Sequence, residues 1–87
     1  MTAMLQIQQV SLPLTSDKHG VVKVGGTRVT LDTIVKAFLR GATAEEIAQQ
    51  YPSVSLSDVY ATISYYLQNQ KAVNSYLAKR KKTSPSR

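Results

Sequence analysis

Few side chains in this 87-residue chain can do chemistry, and most of those that can are cations. There is no cysteine and a single histidine, His19. Disulfides, thiolate metal sites and cysteine nucleophiles are therefore excluded. To hold a metal or haem, His19 would need ligands from a second protomer or a nearby tyrosine, and a solvated turn residue is the expected role. Glu45 and Glu46 are adjacent carboxylates at the start of a helical pattern, where the helix dipole favours negative charge. No nucleophile, base and orienting group accompanies them, so no catalytic residue, metal or cofactor is expected, and the chain is not read as an enzyme.

The cations are unevenly placed. In residues 1–70, Lys18, Lys23, Arg28, Lys36 and Arg40 are balanced by Asp17, Asp32, Glu45, Glu46 and Asp58. The net charge of +6 therefore sits in residues 71–87, on Lys71, Lys79, Arg80, Lys81, Lys82 and Arg87. Such a segment suits a polyanion or an acidic protein surface, while the plainer alternative is a solubilising tail. The last stretch, Thr83 to Arg87, is polar and short, and is expected to be disordered.

These residues must be positioned by a single small core, since 43% of the chain is apolar and there is no length for a second domain. Leu5, Ile7, Val10, Leu12 and Leu14 alternate as an edge strand whose phase slips at Gln8-Gln9. Thr15 to Gly20 reads as a turn. Val21–Val24 and Thr27–Thr30 flank Gly25-Gly26, which predicts a tight hairpin with positive φ at the glycines. The glycines do not make a phosphate loop, which needs a longer frame ending in Lys-Ser/Thr.

The helical part is well punctuated. Leu31, Ile34, Val35, Phe38 and Leu39 form one helical face, with Thr30 as cap and Gly41 as stop. Thr43 and Glu46 make a capping box for a second helix that buries Ile47 and Ala48 and ends near Tyr51, before Pro52. Ser55 caps a third, whose stripe is Leu56, Val59, Tyr60, Ile63 and Leu67. Val29 with Ile34, Ala42 with Ile47 and Val54 with Val59 have the spacing of hydrophobic staples. Asn69 is expected to separate the third helix from a fourth carrying Val73, Tyr76 and Leu77, although one long helix also fits the spacing.

Three short helices, the second and third joined by a tight turn, have the outline of a helix-turn-helix unit. On the third helix Ser57, Asp58, Ala61, Thr62 and Tyr65 are expected to be exposed, with Gln68 further along. Ser57, Thr62, Tyr65 and Gln68 are the candidate DNA-facing residues there, Thr62 and Gln68 as readers of base edges. Residues 55–70 hold no Lys or Arg, so phosphate contacts must come from Arg28, Lys36 and Arg40. Arg28 has a competing role as an ion-pair partner of Asp32, tying hairpin to helix. At least one of Tyr65 and Tyr66 is expected in the core or a dimer seam.

The run Val22-Lys23-Val24-Gly25-Gly26-Thr27-Arg28-Val29-Thr30-Leu31-Asp32-Thr33-Ile34-Val35, followed by Gly41-Ala42-Thr43-Ala44-Glu45-Glu46-Ile47, is similar to a known family. Tyr51-Pro52, Leu56-Ser57-Asp58-Val59-Tyr60 and Tyr65-Tyr66-Leu67 continue the likeness. The chain resembles, over roughly residues 10–80, the prokaryotic domain-of-unknown-function family 433, whose members are classed as candidate antitoxins of VapB type. The resemblance implies a homeodomain-like three-helix bundle preceded by β structure. It also implies a partner of the PIN-type ribonuclease toxin class and autoregulation of the operon. It brings no set of contact residues. Lys79, Arg80, Lys81 and Lys82 are the candidate partner-binding residues, with Arg80 reaching the acidic metal site of such a toxin.

The expected fold class is thus mainly α: a three-helix core over 31–69, a β-rich part over 1–30, a C-terminal helix over 70–82, and a basic tail. The alternative to a DNA-binding regulator is an interaction module whose basic C-terminus docks an acidic partner. A homodimer is expected, because Leu5, Ile7, Val10 and Leu12 have no obvious covering layer unless a strand pairs with a second copy. The uncharged start Met1-Thr2-Ala3-Met4-Leu5 and the absence of a spanning apolar run predict a cytoplasmic protein without a membrane span.

Overall fold

The computed structural model describes the backbone of residues 12–83 and the side chains of residues 12–80. The described residues are mainly helical, with a two-stranded antiparallel hairpin followed by four helices. These are β1 (Leu14–Ser16), β2 (Val22–Val24), α1 (Leu31–Leu39), α2 (Ala44–Gln50), α3 (Leu56–Gln68) and α4 (Gln70–Thr83). Leu5, Ile7 and Val10 of the expected first strand lie outside the described residues, as do residues 84–87 of the tail.

The hairpin differs from the sequence expectation. β2 pairs with β1 across the Asp17–Gly20 turn, placing Leu14 opposite Val24 and Ser16 opposite Val22. Thr15 and Ser16, expected in the turn, are strand residues. The glycine turn does form, with φ of 62° at Gly25 and 69° at Gly26, which only glycine adopts at little cost. Its second arm is reduced to a bridge between Lys23 and Thr30. Two local demands stop it from becoming a strand. The Thr27 hydroxyl donates to Val24 O and accepts from Val29 N, curling the chain inward. Thr30 is already committed as the N-cap of α1.

The starts of α1, α2 and α3 are built as their sequences predict. Thr30 accepts from Thr33 N, Thr43 and Glu46 form a reciprocal capping box, and Ser55 accepts from Asp58 N. A lost cap of this kind typically costs ~1 kcal/mol. Gly41 carries a φ of 101° after α1, and Ala42 N donates back to Ala37 O, a helix stop of the left-handed kind. Asn69 breaks α3 from α4: its φ of −136° leaves the helical region and its side chain donates to Tyr65 O.

The core has two parts. Val24, Ile34, Ile47, Val54, Val59 and Ile63 pack where α1, α2 and α3 meet under β2. All three staple pairs lie in or against this cluster. The second part, Leu31, Val35, Tyr66 and Val73, joins α1 and α3 to α4. Tyr66 fills it, meeting Phe38 edge-on at 6.4 Å and donating to Asn74 Oδ1.

The buried face of α3 is shifted round the helix from the expected stripe. Val59, Thr62, Ile63 and Tyr66 face inward, while Leu56, Tyr60 and Leu67 are 40–50% exposed. Thr62 tolerates complete burial because its hydroxyl donates to Asp58 O, one turn back. Leu39 of α1 is likewise 57% exposed, and Ala37 takes the inward place.

Candidate functional site

The outward surface of α3 carries Ser57, Ala61, Ser64 and Gln68, spaced three to four apart on the side away from Val59 and Tyr66. Ser57, Ser64 and Gln68 are exposed and Ala61 is half-buried. Beside them runs the exposed apolar line Leu56, Tyr60 and Leu67. The helix is held by α2 and α1 behind it and by a hydrogen bond from Tyr60 Oη to Glu45 Oε2 of 2.5 Å. That bond holds the Glu45 carboxyl below its usual range and raises the Tyr60 phenol.

Of the sequence-selected DNA-facing residues, Ser57 and Gln68 reach this surface. Thr62 does not, because it is fully buried and its hydroxyl is turned to Asp58 O. Ser64, which faces outward, takes its place on the surface. Tyr65 is half-buried and lines a groove toward α4. Arg28, Lys36 and Arg40 are exposed and make no ion pair among the described residues. Arg40 borders a shallow polar groove with Glu46, Gln49 and Gln50.

The expected Arg28–Asp32 pair is replaced by another. Asp32, 8% exposed on the first turn of α1, faces α4 instead of the hairpin. It accepts from Arg80 Nε at 2.7 Å and from Tyr76 Oη at 3.2 Å. Tyr76 Oη in turn accepts from the backbone N–H of Val22 at 2.9 Å. One buried carboxylate thus ties β2, α1 and α4 together. Burial is the main cause raising the Tyr76 phenol, and the bond to Asp32 raises the Arg80 guanidinium.

Single-sequence reasoning missed this cluster. Tyr76 and Arg80 stand one turn apart on α4, a spacing that places both on one face. Their partner is more than forty positions away, and no local rule reaches that far. Arg80, the candidate toxin-reaching residue, is therefore engaged within its own fold. Lys79 is exposed, and the side chains of Lys81 and Lys82 lie outside those described.

His19 is exposed, its backbone N–H donating to Asp17 Oδ1 at 2.8 Å. Val21 N donates to the same oxygen and, more than any other contact, holds the Asp17 carboxyl below its usual range. Among the described residues no group of His, Asp and Glu could hold a metal ion, and no helix is long and apolar enough to cross a membrane.

No curated protein and no solved structure matches the chain. A family described as Protein of unknown function (DUF433) matches residues 18–66, a span running from the Asp17–Gly20 turn through the buried Tyr66. With more than half its length in that match, the chain belongs to this family.

Proposed function

We propose that this chain is a DNA-binding, antitoxin-like transcriptional regulator of homeodomain-like helix-turn-helix type. In this reading it neutralises a PIN-type ribonuclease toxin and autoregulates its operon. The observation that carries it is the outward face of α3, where Ser57, Ala61, Ser64 and Gln68 are small or polar and uncharged. Hydroxyls and an amide can hydrogen-bond to base edges, and alanine can meet a thymine methyl. Arg28, Lys36 and Arg40, exposed and without ion-pair partners among the described residues, supply phosphate contacts. The toxin-facing role falls to the basic end of α4.

A second reading, a protein-interaction module without a DNA role, has its own support. Leu56, Tyr60 and Leu67 give α3 an exposed apolar edge, and residues 55–70 contain no cation. Apolar contact area of this kind suits a protein partner better than a phosphate backbone.

Fluorescence anisotropy against the duplex upstream of the gene, beside a shuffled duplex and across a salt series, separates the two. The regulator predicts at least about tenfold preference for its own sequence, reduced by Gln68→Ala, with a log–log salt slope near −0.9 per phosphate contact. Equal, steeply salt-dependent binding to both duplexes indicates only a polyelectrolyte contact. Absence of binding at low salt refutes the regulator and leaves the interaction module.

A further inference from the structure

We propose that the pocket between the Asp17–Gly20 turn and the last turns of α4 binds a phosphate group, carried by free phosphate or a small phosphate monoester, through His19, Lys79 and Arg80. The pocket has a volume of about 250 Å³ and is lined by His19 and Gly20 from the turn and by Tyr76, Lys79 and Arg80 from α4. Among the described residues no carboxylate lines it. Val73 and Tyr66 pack α4 against the inner side of α3, so the pocket does not share the outward face that carries Ser57, Ser64 and Gln68.

The chain builds this pocket by fixing its two walls to each other. On the turn side, Asp17 Oδ1 accepts from His19 N and Val21 N, and Gly20 N donates to Asp17 O. Asp17 Oδ2 lies 3.7 Å from Lys23 Nζ. The carboxylate nearest in sequence to His19 is thus turned to the backbone and to Lys23, while the imidazole stands at the exposed rim. On the helix side, Tyr76 Oη accepts from Val22 N at 2.9 Å and donates to Asp32 Oδ1 at 3.2 Å. These bonds spend the phenol on the fold, so Tyr76 is a wall of the pocket and not a ligand donor. Arg80 Nε donates to Asp32 Oδ2 at 2.7 Å. A guanidinium carries five N–H donors in a rigid fork; the bond to Asp32 uses the one on Nε and fixes the plane of the rest. Orienting a donor in advance lowers the entropy lost when a ligand binds.

Charge and geometry select the ligand. Lys18 and Lys23 beside the turn, with Lys79 and Arg80 on α4, are four cations against two carboxylates, Asp17 and Asp32. That excess matches a dianion, and a phosphate monoester carries about −1.5 to −2 charges at neutral pH. His19, Lys79 and Arg80 approach from two different elements. A tetrahedral group with three terminal oxygens can accept from each of them, where a planar carboxylate offers only two oxygens. The pocket is smaller than the roughly 300–1,000 Å³ of sites that enclose drug-sized ligands, so it holds the phosphate group and leaves the rest of an ester in solvent.

The test follows backbone amide NMR shifts of the full chain titrated with sodium phosphate, methyl phosphate and dimethyl phosphate, against sodium chloride at matched ionic strength. Phosphate and methyl phosphate should give saturable shifts centred on His19, Gly20, Lys79 and Arg80, with a Kd of about 1 mM or tighter. Dimethyl phosphate, a monoanion with two esterified oxygens, should bind at least about tenfold more weakly. His19→Gln and Lys79→Gln should each weaken phosphate binding about fivefold, the loss of one exposed donor to an anion. Lys71→Gln removes the same charge from the exposed start of α4, outside the pocket, and should change the Kd by less than about twofold. Arg80 is kept, because it also holds Asp32. Far-UV circular dichroism identifies any variant that has unfolded; His19→Gln, at an exposed position, carries the test if Lys79→Gln fails it. Shifts that do not saturate, or that chloride reproduces, overturn the proposal. So does a Kd that both folded pocket variants leave unchanged, or that Lys71→Gln weakens equally. Equal affinity for dimethyl phosphate overturns the assignment to a monoester. No arm contains DNA, so the outcome is independent of the proposed reading face of α3.

Discussion

Removing the Asp32 carboxylate should loosen α4 from the rest of the fold, and the size of the effect follows from its two bonds. The Arg80 contact is short, 2.7 Å, and charge-assisted, a class worth about 1.5–3 kcal/mol net. The Arg80 side chain is 34% exposed, so solvent screening moves this toward the lower end. The Tyr76 bond, longer at 3.2 Å, adds roughly 0.5–1 kcal/mol. Asp32→Ala should therefore cost about 2–3 kcal/mol out of a total of ~4–13 kcal/mol for a chain of this size. At 4–8 °C per kcal/mol, the midpoint should fall by roughly 8–24 °C. Arg80→Gln should be comparably harmful, because it leaves a nearly buried carboxylate with only a phenol. Urea and thermal unfolding of Asp32→Asn, Arg80→Gln and the double variant form a cycle with an expected coupling of about 1–2 kcal/mol. A coupling within the ~0.3–0.5 kcal/mol of independent sites would refute the reasoning.

Three further outcomes are expected. Gly25→Ala and Gly26→Ala should each destabilise by about 1–2 kcal/mol in chemical denaturation, because both carry positive φ; the new Cβ at Gly25 would also meet Asp58 Oδ2 at 2.6 Å, the end of a flexible side chain that can swing aside, so the two costs should be similar. Thr43→Ala should lower stability by ~1 kcal/mol, and Glu46→Ala should lower it further even in the Thr43→Ala background, because the Glu46 carboxylate accepts from the backbone N–H of residue 43, which that substitution leaves in place. The pH profile should have two falling limbs. The lowered carboxyls of Asp17 and Glu45 contribute stability that is full above their unfolded range near pH 4 and lost as pH drops through the folded values. The raised phenols of Tyr60 and Tyr76 contribute stability that is full below about pH 10 and lost as pH climbs through theirs. Thermal melts across pH should show a shallower acid limb in Asp17→Asn and a shallower alkaline limb in Tyr76→Phe.

Local rules of the backbone carried far in this chain. Caps at Thr30, Thr43 and Ser55, the stop at Gly41, the break at Asn69 and the glycine turn are all readable from the residues themselves, because each satisfies a backbone group within a few positions. The scarcity of catalytic and metal-binding residue types was equally plain from composition. What the tertiary structure alone decided is rotation and long-range pairing. Periodicity places apolar residues on a face of α3 but does not choose which part of that face meets α1. The packing of Tyr66 against Phe38 and α4 turned Thr62 inward and Leu56, Tyr60 and Leu67 toward the surface. Asp32 had a plausible partner four positions away in Arg28, yet its place on α1 points it at Tyr76 and Arg80. The glycine turn's second arm lost its strand to the cap of α1, a competition between two correct local signals for the same threonine. A sequence names the groups that must be satisfied; only the assembled fold determines which distant partner reaches each one first.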